Sequence, residues 1–147
     1  MSLFNSYTAN KPEENITEQE AWIAVLYACS ITDGEASEIE TELIVDSLYR
    51  KQKFEGIEFS PLFRKVLSKR TELGQNKFLD YYIPYIKEED FEMLFCIALE
   101  IVLVDGIIHR EEERIIEILI NKMSLNTEKA KVIIDIFITK NKGNVSY

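Results

Sequence analysis

Two pairs of carboxylates recur in this chain with identical spacing, and each pair brackets a glycine. The shared pattern is Asp-Gly followed, seven residues after the Asp, by a Glu; the two copies are Asp33-Gly34 with Glu40 and Asp105-Gly106 with Glu112. Carboxylate oxygens are the ligands that hard cations such as Ca²⁺ and Mg²⁺ prefer, and Mn²⁺ tolerates them. The pattern therefore makes divalent-cation binding the first chemistry to consider.

The EF-hand calcium loop ends in the same way as these turns. Its 12 residues carry a glycine at position 6 and a bidentate glutamate at position 12. Positions 1 and 3 of such a loop would here be apolar or thiol residues, which supply no hard oxygen ligand: Cys29 and Ile31 in the first copy, Ile101 and Leu103 in the second. Neither turn is therefore an EF-hand by itself.

The two turns belong to a longer internal repeat. Shifting the sequence by 72 positions aligns the turns and also their flanking apolar and acidic positions, such as Val25 with Ile97, Ile31 with Leu103, Leu43 with Ile115 and Glu20 with Glu92. Such self-similarity indicates a repeated structural unit, here helix–turn–helix. If the halves pack about a pseudo-two-fold axis, four carboxylates converge on one site, with further acidic residues nearby: Asp33, Glu40, Asp105 and Glu112, beside Glu35, Glu38, Glu111 and Glu113.

A purely structural role for the turns stays open. Glycine accepts the positive φ angle at a helix end, and an aspartate can terminate the helix. The glutamate can cap the following helix as its third residue. Against this, a carboxylate at the C-terminal end of its own helix lies at the negative end of the dipole, which costs about 0.3–1 kcal/mol. Either a cation or the next helix N-terminus would offset that cost.

Helical spacing of apolar residues predicts an all-α fold of about seven helices, and no segment alternates as a half-buried strand would. A capping box at Thr17 begins the first helix and Gly34 ends it, whereas Glu88 to Val104 is the most apolar helix and the expected centre of the core. Others begin near Ser37, Ser60, Arg110 and Asn126, and a short aromatic helix that contains Phe78 follows Gly74. We expect an N-terminal arm over 1–16, one domain over 17–141 and a flexible tail over 142–147.

Composition narrows the class of partner. The formal net charge of −9 disfavours nucleic acid and anionic membrane surfaces, and favours cations or basic partners. The longest apolar run, 93–104, is too short to span a bilayer and no secretory signal is present, so we expect a cytoplasmic protein. Cys29 and Cys96 lie in apolar helical stretches, where we expect them to pack in the core.

These residues resemble the TerB-like tellurite-resistance family. The matching segments are two apolar helices that each end in an Asp-Gly turn and precede a helix opening with Glu: 21–34 with Glu40, and 94–106 with Glu112. The turns read Thr-Asp-Gly and Val-Asp-Gly where the family usually has Ala-Asp-Gly. The resemblance covers most of 17–141 and implies an α-helical bundle with internal pseudo-symmetry, an acidic cluster for divalent metal, and a link to tellurite or other stress responses.

Other candidate groups are few. His109, the only histidine, precedes a helix without any nucleophile motif around it, and we expect it to be solvated there. Glu100 interrupts an apolar helix and is expected to pair with a Lys or Arg. Tyr81, Tyr82 and Tyr85 beside Pro84 form either a packed corner or an exposed partner surface. We therefore expect a non-enzymatic, stress-related domain with a cation site, or alternatively a metal-free interaction adaptor on the same scaffold.

Overall fold

Seven α-helices and no strand make up the part of the chain that the computed structural model describes, residues 15–31 and 38–145. The all-α prediction is confirmed. The helices are α1 Glu18–Ser30, α2 Glu38–Leu48, α3 Phe59–Leu73, α4 Gln75–Tyr82, α5 Phe91–Val102, α6 Arg110–Lys122 and α7 Thr127–Asn141. Three short 3-10 helices connect them, at Gln52–Phe54, Ile83–Tyr85 and Glu88–Asp90. The predicted arm falls largely on residues 1–14, outside the described ranges.

Helix α1 begins where its sequence predicts. The Oγ1 atom of Thr17 accepts a 3.1 Å hydrogen bond from the backbone N–H of Glu20, which satisfies one of the exposed amides of the first turn. The Glu20 carboxylate, which the capping box would direct to the backbone N–H of Thr17, has another partner. The Glu20 carboxylate is buried and accepts a 2.7 Å hydrogen bond from the hydroxyl of Tyr82, far along the chain. The carboxylate thus joins α1 to α4, a tertiary contact that a local motif cannot reveal.

The centre of the core is α1 and not α5, contrary to the prediction. Residues 20–27 of α1 are all buried, and the helix contacts each of α2 through α6. Helix α5 buries Leu94, Phe95, Ala98 and Leu99 but leaves Met93 and Ile97 only half-buried. The more apolar α5 makes its main helix contacts with α1, α2, α6 and α7.

A break between α3 and α4 depends on Gly74. This residue has a φ of 74° and ends α3 through a 3.0 Å hydrogen bond from its N–H to the carbonyl of Arg70.

Helix α3 begins at Phe59, one residue before the predicted Ser60-Pro61 start. Pro84 lies within the 3-10 helix that follows α4, as expected of a residue that cannot continue an α-helix.

Helix α7 packs on α5 and carries the most exposed apolar side chains of the helical part. Val132 and Ile136 are 58% and 57% exposed, while Ala130 and Asn141 are buried near the two ends of the helix. Lys140 of α7 pairs with Glu100 at 2.7 Å, which confirms the partner predicted for that glutamate. No helix in the described ranges has the length and apolarity needed to cross a membrane.

Candidate functional site

The second Asp-Gly turn is a compact, hydrogen-bonded corner between α5 and α6. The Oδ1 atom of Asp105 accepts a 3.0 Å hydrogen bond from the backbone N–H of Ile107, and its Oδ2 lies 3.4 Å from His109 Nε2. The Oε1 atom of Glu112 accepts a 3.0 Å hydrogen bond from the backbone N–H of His109. Both carboxylates therefore hold the local backbone, so this turn takes the structural role that the sequence left open.

The Glu112 carboxyl at this corner is half-buried and lies among other charged groups. Burial raises the pKa of Glu112 above its ordinary value, and the nearby carboxylates of Asp105 and Glu111 raise it further. The hydrogen bond from the His109 backbone and the charge of His109 act in the opposite direction. The His109 side chain is 55% exposed, as expected for a solvated residue before a helix. Burial therefore favours the neutral form of Glu112, while His109 Nε2, 4.0 Å from its Oε1, favours the charged form.

The structure describes three of the four carboxylates that were predicted to share a site. Asp33 lies outside the described residues, together with Gly34 and the start of the second capping box. Glu40 is half-buried in the first turn of α2. Of the residues that the structure describes, no three His, Cys, Asp or Glu side chains are grouped so that they could hold a metal ion. Asp105 and Glu112 both lie near the imidazole of His109, whose Nε2 is 3.4 Å from Asp105 Oδ2 and 4.0 Å from Glu112 Oε1.

Repeat-related residues have different environments elsewhere in the molecule. Glu20 is 3% exposed and bonded to Tyr82, whereas its counterpart Glu92 lies on the surface and pairs with Lys129 at 2.6 Å. The internal repeat therefore preserves the helical frame without preserving the contacts of its acidic side chains.

A groove of about 420 Å³ lies between α1, α3, α4 and α6, and the sequence did not predict it. Apolar side chains form much of its lining, among them the buried Ile31, Phe78 and Leu79 and the half-buried Ile115 and Ile118. The volume falls in the range of pockets that bind small molecules or single side-chain clusters. Polar lining comes from Gln75 and Asn76 of α4 and from three basic residues, Arg70, Arg114 and Lys122.

Every charged residue that lines this groove is basic, in a chain whose net charge is −9. Arg70 and Arg114 make no ion pair with any residue in the described ranges. Lys122 pairs with Asp80, whose side chain is 64% exposed. Exposed pairs of this kind contribute little to stability, so Lys122 can exchange its partner at small cost.

One sequence signal for the groove exists along α6. Arg114, Ile118 and Lys122 follow one another at intervals of four residues, so cations flank an apolar residue on a single face of the helix. Alone, this pattern is typical of an ordinary amphipathic helix. It predicts no groove, because Ile31 after α1 and Phe78 and Leu79 of α4 join the same lining only through tertiary contacts.

Comparison with known proteins gives no relative for this chain: no protein-family model, curated protein or solved structure matches it.

Proposed function

We propose that this protein is a non-enzymatic interaction adaptor that binds a partner in the groove between α1, α3, α4 and α6. The observation that carries the proposal is the combination of apolar lining with Arg70 and Arg114, which make no ion pair among the described residues. Small numbers of polar groups placed around an apolar concavity are typical of recognition sites. The helical scaffold supplies the rigid frame that such a site needs.

A photo-reactive amino acid placed in the groove tests the adaptor function. Asn76 is exposed and lines the groove, so the reactive group at this position reaches a bound partner without disturbing the core. We expect irradiation in cells to give one defined protein adduct. Lys131 on α7 is exposed and does not line the groove, and the same group there serves as the control. Identical adducts from both positions, or none from Asn76, would contradict the proposal.

The second candidate function is binding of a divalent cation at the duplicated turns, as the TerB-like resemblance implies, with its link to tellurite or other stress responses. The observation that favours it is the position of Asp105 and Glu112, whose carboxylates lie 3.4 and 4.0 Å from His109 Nε2, together with the raised pKa of Glu112. A cation would relieve the repulsion between these carboxylates, and Asp33 and Glu40 of the first copy would complete an oxygen-only set.

Thermal unfolding with Ca²⁺, Mg²⁺ or Mn²⁺ tests the cation candidate. A ligand that binds only the folded state raises the melting temperature. We expect the rise to be lost in the double variant Asp33→Ala/Asp105→Ala, with Glu128→Ala/Asp135→Ala on α7 as a control of equal charge change. A melting temperature that changes with neither metal nor chelator would contradict cation binding and would leave the adaptor function unaffected.

A further inference from the structure

We propose that the groove binds an amphipathic helix of a partner protein, in which apolar side chains one turn apart are flanked by carboxylates. This inference rests on the proposed adaptor function and adds the chemistry of the partner. It follows from the length of the groove, the position of its cations and the charge of the rest of the molecule.

The groove extends along at least two turns of α6. Arg114 and Lys122 both line it, and they lie eight positions apart in the helix, which corresponds to about 12 Å along the helix axis. Ile115 and Ile118 lie between these two cations along α6. An occupant that contacts the whole length therefore needs an apolar centre and a negative group toward each end.

A helix satisfies this requirement with few residues. Side chains three or four positions apart lie on the same face, so two apolar anchors can enter the groove beside Ile118 while acidic residues before and after them reach the cations. An amphiphile with a single carboxylate, such as a fatty acid, can neutralise only one end of the groove. The spacing of Arg114 and Lys122 therefore favours the peptide.

Electrostatics give the groove its selectivity. The surrounding protein is acidic, with a net charge of −9, and repels an acidic partner except where cations face it. Arg70 and Arg114 each present a planar guanidinium that can bind a carboxylate through two parallel hydrogen bonds. Because neither makes an ion pair with another described residue, no internal ion pair has to be broken before they bind a partner.

The test is a selection from a display library of peptides about four helical turns long against the full chain. We expect the enriched peptides to place Asp or Glu on both sides of an apolar pair, and a proline at the centre of a selected peptide to abolish binding. Affinity should fall with salt, and about tenfold or more in Arg70→Gln/Arg114→Gln. The control Lys87→Gln/Lys131→Gln removes the same charge from exposed positions outside the groove and should bind like the parent. Circular dichroism of each variant verifies that it is folded.

The remaining outcomes separate the partner chemistry from the adaptor function. Selected peptides that are neutral or basic, and whose binding is lost in Ile118→Asn, would contradict the acidic helix as partner. The adaptor function would then stand. Arginine-dependent binding of decanoate, with no peptide enriched, would overturn the helix in favour of a small anionic amphiphile. A parent that dimerises, with dimerisation lost in the arginine variant, would assign the groove to a second copy. No groove-dependent binding by any of these probes would overturn the acidic helix, and the adaptor function would then be decided by the cross-link from Asn76.

Discussion

Gly106 lies so close to the backbone of Asn141 that a Cβ atom at position 106 would be 2.7 Å from the carbonyl oxygen of Asn141. The contact joins the second Asp-Gly turn to the last residue of α7. The buried Asn141 side chain strengthens it, because its Nδ2 donates 3.0 and 3.2 Å hydrogen bonds to the carbonyl of Leu103 and to Glu100 Oε2. Asn144, within the predicted tail, donates a 3.0 Å hydrogen bond to the carbonyl of Val104. The end of α7 therefore holds the turn in place.

We predict that Gly106→Ala destabilises the fold by more than the usual cost of a left-handed alanine. Gly106 has a φ of 76°, and the added methyl group would also force the turn away from Asn141. The matched control is Gly56→Ala, since Gly56 has a φ of 73° but nothing within 4 Å of the added atom. Urea unfolding should give a loss of about 1 kcal/mol for Gly56→Ala and about 2–4 kcal/mol for Gly106→Ala. Equal losses would show that the turn moves without cost.

A second prediction concerns the buried hydrogen bond between Tyr82 and Glu20. Tyr82→Phe removes the hydroxyl that donates at 2.7 Å to a carboxylate only 3% exposed, while the ring keeps its place among Phe78 and Tyr81. We expect a loss of about 1–3 kcal/mol in urea unfolding, the cost of leaving a buried acceptor short of a donor. Tyr85→Phe, at a ring that is 46% exposed, should change stability by less than about 0.5 kcal/mol.

Local sequence signals predicted the helices well, because caps and apolar spacing act within a few residues. Thr17, Gly74 and Asn126 each end or begin a helix as their types require, and Asn126 Oδ1 accepts a 2.9 Å hydrogen bond from the N–H of Lys129. The same signals could not show that α1, and not α5, is the central helix of the core. Hydrophobicity measures how much a helix gains by burial, whereas burial itself depends on how many other helices surround it.

The candidate site shows the same limit. The Asp-Gly-x5-Glu spacing predicted a shared turn, and Asp105 with Glu112 forms one. A repeat in sequence does not, however, determine which group donates a hydrogen bond to each carboxylate. Glu20 contacts a tyrosine and its counterpart Glu92 a lysine. The groove depends entirely on long-range packing, since its lining combines Ile31, just after α1, with Phe78 of α4 and Ile118 of α6.

A third prediction concerns the two cysteines. Burial raises the pKa of the Cys29 thiol to about 12, and Cys29 is only 3% exposed. Cys96 is half-buried rather than fully in the core, and its pKa is also raised, mainly by burial and then by the charge of Glu92. Because the thiolate is the reacting form, a disulfide reagent at neutral pH should modify Cys96 slowly and Cys29 only after unfolding. Fast modification of Cys29 in the native protein, with Cys29→Ala as the control, would contradict its buried position.

The last prediction uses pH to examine the acidic turn. Because burial raises the pKa of Glu112, the folded state holds its proton more tightly than the unfolded state, for which the pKa is about 4.3. The stability that this carboxyl contributes is therefore fully present below about pH 4 and is lost as the pH rises through the folded-state pKa. In the variant Glu112→Gln the side-chain amide does not titrate, and its carbonyl oxygen can still accept the hydrogen bond from the His109 backbone.

We therefore expect the melting temperature of Glu112→Gln, measured relative to the parent, to increase between pH 4 and pH 7. The change of this difference with pH excludes contributions that are the same at every pH, such as the interaction of the helix dipole with the side-chain amide of the Glu112→Gln variant. Glu117→Gln on the exposed side of α6 controls for the loss of one negative charge. A difference that stays flat or falls with pH would contradict the desolvation of Glu112. In that case the corner formed by Asp105, His109 and Glu112 is already neutralised within the protein, and the physical argument for a cation at this turn loses its support.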